Sequence, residues 1–210
     1  MQLRYTLLTD GSSDAALVPV INWLIAEANY NGSLQPAWAE LRHLPAPPDS
    51  LVDKIQLAIK LYPCDILFIH RDAERESYDK RVMEIETAIT EAKIQQIYIC
   101  VIPIRMQEAW LIFDEFAIRA AAGNKNGKTP LNLPSVNHLE SLPNPKENLH
   151  SALRNASGLS GRRLKRFNTY SAAHDVTDFI SDFTPLYNLS AFQHLAEDVK
   201  RIIRQLQDNA

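Results

Sequence analysis

The chain has 210 residues, enough for one well-buried core with an appended lobe. Hydrophobic residues at 46% and charged residues at 22% are ordinary for a globular protein and exclude a disordered or fibrous chain. A formal net charge of -3 argues against indiscriminate polyanion binding, and no run approaches the ~20 apolar residues of a membrane span, so a cytoplasmic location is expected.

Leu3, Tyr5, Leu7 and Leu8 form a short β-type run, Gly11 and Ser12 make a turn, and an apolar helix is expected from about Asp14 to Asn29, capped by Ser12 or Ser13. A weaker alternating stretch, Ala39 to Leu44, precedes the loop Pro45 to Pro48. Asp49 then caps a helix carrying Leu51, Ile55, Ala58, Ile59 and Leu61. Ile66 to Ile69 is a continuous apolar run bounded by charges, the pattern of a strand buried on both faces of a parallel sheet. Asp79 to Lys93 puts Val82, Ile85, Ile89 and Ala92 on one helical stripe, and Ile97 to Ile102 gives a fourth strand ended by Pro103. Gln107 to Ala122 reads as a fourth helix, followed by the Asn-, Gly- and Pro-rich segment Gly123 to Pro145. Further helices are expected over Lys146 to Ala156, Ala172 to Asp182 and Ser190 to Leu206.

The expected fold class is therefore α/β, a Rossmann-like core with a four-stranded, mainly parallel sheet and a C-terminal helical extension. Its expected division is an α/β core over 1–122, a long loop over 123–145, and a helical extension over 146–210 packed on the core. Cys64 and Cys100 form neither a disulfide framework nor a zinc spacing and read as reduced core thiols.

Two acidic clusters, Thr9 to Asp14 and His70 to Glu74, each follow an apolar run, and in open α/β sheets ligands bind beyond the carboxyl ends of the strands. Glu108 begins the helix after the fourth strand, so three strand ends supply acid. Carboxylates gathered this way repel unless a cation lies between them, and hard oxygen ligands suit Mg2+ or Mn2+. The expected metal ligands are Asp10, Asp14, Asp72, Glu74 and Glu108, with Asp10, Asp14, Asp72 and Glu108 in catalytic roles. A pair of cations roughly 3.5 to 4 Å apart would activate water and stabilise a leaving oxygen in phosphoester cleavage. The condition for this reading is that Asp10, Asp72 and Glu108 lie close together and that no lysine or arginine fills the space between them. The plainer roles are a helix-dipole acid for Asp14, a turn residue for Asp72 and a solvated loop acid for Glu74.

Arg162, Arg163, Lys165 and Arg166 concentrate positive charge around one turn and are the candidate contacts to a nucleic-acid backbone, or a solvated basic face. Gly123 to Thr129 imitates a phosphate-binding loop with one residue too few and no strand before it, so ATP binding there is rejected. His70-Arg71-Asp72 echoes a kinase catalytic loop, but Ser77 stands where the metal-binding Asn belongs. His70 reads first as a packed or hydrogen-bonded strand-end histidine, with orientation of a carboxylate or contact to phosphate as the alternative, and Trp110 reads as core.

Asp10-Gly11-Ser12-Ser13-Asp14, Asp72-Ala73-Glu74 and Glu108-Ala109-Trp110-Leu111-Ile112-Phe113-Asp114 together resemble, over most of residues 1 to 114, a small TOPRIM-fold protein of the OLD-family nuclease type found beside ATPases in bacterial anti-phage systems. That family's pattern is Glu-Gly-x-x-Asp after the first strand, Asp-x-Asp after a later one and, in one bacterial subgroup, Glu-Ala-Trp-Leu-x-x-Asp after the fourth. The resemblance implies a Mg2+- or Mn2+-dependent phosphodiesterase acting on DNA or RNA, with an ATPase partner. Asp10 replaces the family's glutamate and Glu74 its aspartate, which preserves carboxylate chemistry but alters reach. A non-catalytic regulatory or binding module, or a small-molecule phosphoryl enzyme, is the alternative. The sequence leaves self-association open.

Overall fold

The computed structural model describes residues 2–11 and 13–208, and the chain forms two compact units: residues 1–102 with 194–210, and residues 103–193. Ser12, one of the two expected caps, lies outside the described residues. The segment 103–122 thus groups with the helices that follow it, and the last helix from His194 onward groups with the sheet.

In the first unit, strands β1 (Gln2–Leu8), β2 (Ser33–Ala39), β3 (Ile66–His70) and β4 (Ile97–Val101) form one sheet in the order β2-β1-β3-β4, with every neighbouring pair parallel. The fold is a Rossmann-like α/β sheet. All five residues of β3 are buried, which explains why its sequence is a continuous apolar run rather than an alternating one. β2 lies at an edge, where a proline such as Pro36 is tolerated because only one side of the strand carries the ladder.

Helices α1 (Leu17–Glu27), α2 (Leu51–Leu61) and α3 (Tyr78–Ala92) join successive strands. The chain steps one way from β1 to β2 and the opposite way afterwards. Right-handed crossovers therefore put α1 on one face of the sheet, and α2 and α3, which pack on each other, on the other. Ser50 and Ser77 cap α2 and α3 by accepting from the N–H of Asp53 and Lys80, and Lys93 closes α3 in the left-handed conformation. At the centre, fully buried Tyr5 and Phe68 meet edge to face at 5.2 Å, and the Tyr5 hydroxyl donates to Asn22 Oδ1 at 2.8 Å, so the buried phenol keeps a partner.

The second unit is helical. It contains α4 (Glu115–Ala121), α5 (Pro145–Ala156), α6 (Gly161–Lys165) and α7 (Thr169–Asp175), with 3-10 turns at Gln107–Leu111, Val136–Ser141, Val176–Phe179 and Thr184–Asn188. Trp110 is fully buried there, edge to face with Phe192 at 5.3 Å, as expected of a core residue. The last helix, α8 (Ser190–Asp208), starts in this unit and belongs to the first from His194 onward. Among the described residues no helix is long and apolar enough to cross a membrane.

Several boundaries differ from expectation for physical reasons. The second strand is Ser33–Ala39 rather than Ala39 to Leu44, because Pro36 hides an edge strand from a periodicity count. The first helix begins at Leu17 after a 3-10 turn at Asp14–Ala16, placing Pro19 in its first turn, where no N–H is required. Ser50, not Asp49, caps α2. The expected helix Gln107 to Ala122 splits at Asp114, whose carboxylate caps α4 by accepting from Ala117 N–H at 3.0 Å. Truncating Phe68 to alanine removes the aromatic centre of the sheet and is expected to cost about 3 to 5 kcal/mol, read as a lower urea midpoint at unchanged slope.

Candidate functional site

In the first unit, strand order reverses between β1 and β3, so the loops leaving these adjacent strands diverge at their carboxyl ends, the place where open α/β sheets bind ligands. Leu8 lies opposite Ile69. The residues that follow, Thr9 to Asp14 on one side and His70 to Glu74 on the other, therefore emerge side by side.

The β1 loop is held in place by its own hydrogen bonds. Trp38 Nε1 on β2 donates to Thr9 Oγ1 at 3.0 Å, and Gly11 N–H donates to Asp14 Oδ2 at 2.7 Å. A Cβ on residue 11 would lie 2.6 Å from Asp14 Oδ1 and 2.8 Å from Oδ2. Only glycine allows the backbone to approach that carboxylate so closely. Asp14 is correspondingly buried, at 5% exposure.

His70 ends β3 and is 3% exposed. Its Nδ1 lies 3.0 Å from the carbonyl oxygen of Val101, which can only accept, so Nδ1 carries the proton of that bond. Nε2 is then aimed at two carboxylates, 3.5 Å from Asp72 Oδ1 and 3.8 Å from Asp14 Oδ2. Asp72 is about a quarter exposed.

Asp10 stands differently. Lys54 Nζ on α2 binds its Oδ1 at 2.7 Å, and Arg71 Nη1 binds its Oδ2. Arg71 also reaches Glu84 at 2.9 Å on α3, and Arg81 pairs with Glu84 at 2.7 Å and with Glu74 at 3.5 Å. Burial alone would raise the Asp10 pKa, but Lys54 and Arg71 outweigh it and hold the carboxyl below its usual range. The expectation that Asp10 is a metal ligand is corrected on this ground: both its oxygens are already engaged by cations. Glu74, in the left-handed conformation and 66% exposed, faces Arg81 rather than the other acids, so it too leaves the ligand set.

Glu108 belongs to the second unit, where it is buried and lies 3.6 Å from Lys146. Arg162, Arg163, Lys165 and Arg166 lie on and just after α6 of the same unit, all exposed, and among the described residues none pairs with a carboxylate. Lys54, Arg81 and Glu84 carried no sequence signal as site residues, since isolated charges on amphipathic helices read as solvated faces, and Arg71 entered only through the rejected kinase-loop pattern. His70 was legible as a strand-end residue beside the acids; that its Nε2 lies near both Asp14 and Asp72 came from the structure.

Lys54 and Arg71 lie against Asp10, so the condition stated for the five-carboxylate, two-cation arrangement is not met. Among the described residues no group of three or more His, Cys, Asp or Glu could hold a metal ion as it stands. In chemical type, the donors that do converge, Asp14, Asp72 and His70 Nε2, fit a single divalent cation. Two hard carboxylates and an imidazole tied by its other nitrogen to a backbone carbonyl are a familiar ligand set. Comparison with known proteins gave no matching family model, no matching curated protein and no matching solved structure.

The Gly11 contact yields a coupling test. Gly11→Ala should cost about 1 to 3 kcal/mol because the Asp14 carboxylate must move, and most of that cost should vanish when Asp14 is already alanine. Equal costs in both backgrounds, measured by denaturant unfolding of the four variants, would show that the close approach is unimportant.

Proposed function

We propose that the protein is a metal-dependent phosphodiesterase that cleaves nucleic acid at the carboxyl ends of β1 and β3. The observation that carries this reading is the convergence of Asp14 and Asp72 on His70 Nε2 beside the point where strand order reverses. Asp14, Asp72 and His70 would hold one Mg2+ or Mn2+ ion. Such an ion, when bound, polarises a phosphoryl oxygen and makes a nearby water easier to deprotonate.

The chain's own groups have distinct tasks in this reading. Gly11 N–H and the hydroxyl of Ser13 orient Asp14, and the Val101 carbonyl fixes the ring of His70 with Nε2 outward. Lys54 and Arg71, each about a quarter exposed, keep Asp10 ionised and offset its charge, which lowers the repulsion an incoming phosphate meets. In the second unit, taken by itself, the exposed cations Arg162, Arg163, Lys165 and Arg166 are the candidate sequence-independent contacts to a nucleic-acid backbone. The resemblance to TOPRIM nucleases supports DNA or RNA as substrate, a role as effector in a bacterial anti-phage system, and control by an ATPase partner.

A second reading is favoured by one specific observation. The Lys54–Asp10–Arg71 contacts neutralise part of the acidic edge within the protein itself, as suits a non-catalytic module that keeps the sheet for binding. Metal titration separates the two. Under the phosphodiesterase reading, Mn2+ at 100 times its dissociation constant adds ~2.7 kcal/mol of stability, seen as a rise in Tm, and both this rise and oligonucleotide cleavage disappear in Asp72→Asn. A wild-type protein whose Tm ignores Mn2+ and Mg2+ sinks the enzyme and leaves the binding module.

The basic cluster has its own test. Replacing Arg162, Arg163, Lys165 and Arg166 by glutamine should weaken nucleic-acid binding, and should flatten the dependence of log affinity on log salt by about 0.9 per lost phosphate contact on duplex DNA. An unchanged slope in fluorescence anisotropy titrations assigns the cluster to solvent.

A further inference from the structure

The first unit has a concavity away from the site at the strand ends. It lies along edge strand β4 and is walled by α3 and by the part of α8 that belongs to this unit, with a volume of about 530 Å3. That is within the range of small-ligand sites, roughly 300 to 1,000 Å3. None of the residues proposed above for phosphodiester chemistry lines it.

Its chemistry is specific in two respects. Aromatic surface is supplied by Tyr98 on β4 and by Tyr78, which stacks on His194 with ring centres 4.8 Å apart and planes 26° from parallel. Charge is supplied by Glu86, Glu197 and Asp198 against a single guanidinium, Arg201, and that cation is already bound to Asp198 at 2.6 Å. Among the described residues Glu86 and Glu197 have no ion-pair partner. Cys100 also lines the cavity, more than nine-tenths buried, and its thiol has no hydrogen bond among the described residues.

The negative field is felt by the neighbouring groups. Burial first, and then the charges of Asp198 and Glu86, push the Cys100 thiol up to about 12. Tyr98 and Tyr78 are raised as well, by burial first and then by neighbours that include Cys100 and Asp198.

We propose that the cleft between α3, β4 and α8 is a binding site for an alkylguanidinium group. A guanidinium is planar and weakly hydrated, so it stacks on aromatic faces, and its fork of N–H donors matches carboxylates in pairs. Its alkyl stem suits the apolar part of the lining, Val82, Ile97 and Ile202. The group could arrive on a free small molecule or as an arginine side chain in an extended peptide. The shared chemistry is the same, and the ligand arms of the experiment distinguish the two.

The test is calorimetric titration of the full chain with agmatine, with a capped Ala-Arg-Ala peptide, and with the same peptide carrying neutral citrulline. Saturable binding of agmatine alone identifies a free small molecule. Binding of the arginine peptide at least as tightly identifies a side chain. In either case Glu86→Gln combined with Glu197→Gln should weaken binding by about tenfold or more, since each exposed carboxylate is replaced by a neutral group of the same shape. Both residues are exposed, so the double variant should keep its Tm. The proposal is overturned by no saturable binding of either guanidinium at millimolar concentration, by equal binding of the citrulline peptide, or by undiminished affinity in the double variant.

Discussion

The placement of the chemistry depends on the parallel register of β1 and β3, with Leu8 opposite Ile69. Backbone hydrogen bonds fix that pairing, and buried side chains on both faces prevent it from slipping, since a one-residue shift would turn Tyr5 or Phe68 away from its neighbours. Once the register is set, the next residues on each strand have no freedom to avoid one another. Asp10 meets Arg71, and Asp14, returned to the strand end by the Gly11 turn, meets His70. Reversal of strand order at the same place carries the following helices to opposite faces of the sheet, so these groups meet at the strand ends.

Charge at this edge is then divided into two kinds. The outer acids, Asp10, Glu74 and Glu84, are each matched by a lysine or arginine from α2, α3 or the β3 loop, at partly exposed positions where such pairs contribute little to stability. The inner acids, Asp14 and Asp72, face an imidazole nitrogen of His70 rather than a lysine or arginine. This difference is why Asp14, Asp72 and His70 form the proposed ligand set while Asp10 does not. A two-cation site requires carboxylates shared between ions, and neutralisation of the outer acids by arginine and lysine removes the shared ligands that such a site would use.

The first unit thus offers two sites of opposite character. The strand-end site mixes carboxylates with Lys54, Arg71 and His70, as suits an anionic ester held beside a cation. The cleft along β4 carries three carboxylates and aromatic rings with one internally paired arginine, as suits an organic cation. Both stand at strand features that the sheet leaves unpaired, one at the carboxyl ends and the other at an edge, and neither needs a residue of the other. Binding at one can therefore be tested without disturbing the other.

The sequence by itself determined the fold class and the neighbourhood of the strand-end site. The buried run Ile66 to Ile69 could only be an interior strand, the alternation of strands and helices required a parallel sheet, and the acids after two apolar runs had to fall at strand ends. It hid β2 because Pro36 interrupts the pattern, and it joined the 3-10 turn at Gln107–Leu111 to α4 because apolar spacing continues through Asp114. It placed Asp10 and Glu74 among metal ligands because a local pattern records the acid and not its partner. Lys54 lies 44 residues from Asp10, and Arg71 lies 61 residues away. That Asp10 is neutralised by Lys54 and Arg71, and that Asp14 faces His70, is a property of long-range pairing, and only the tertiary structure decided it.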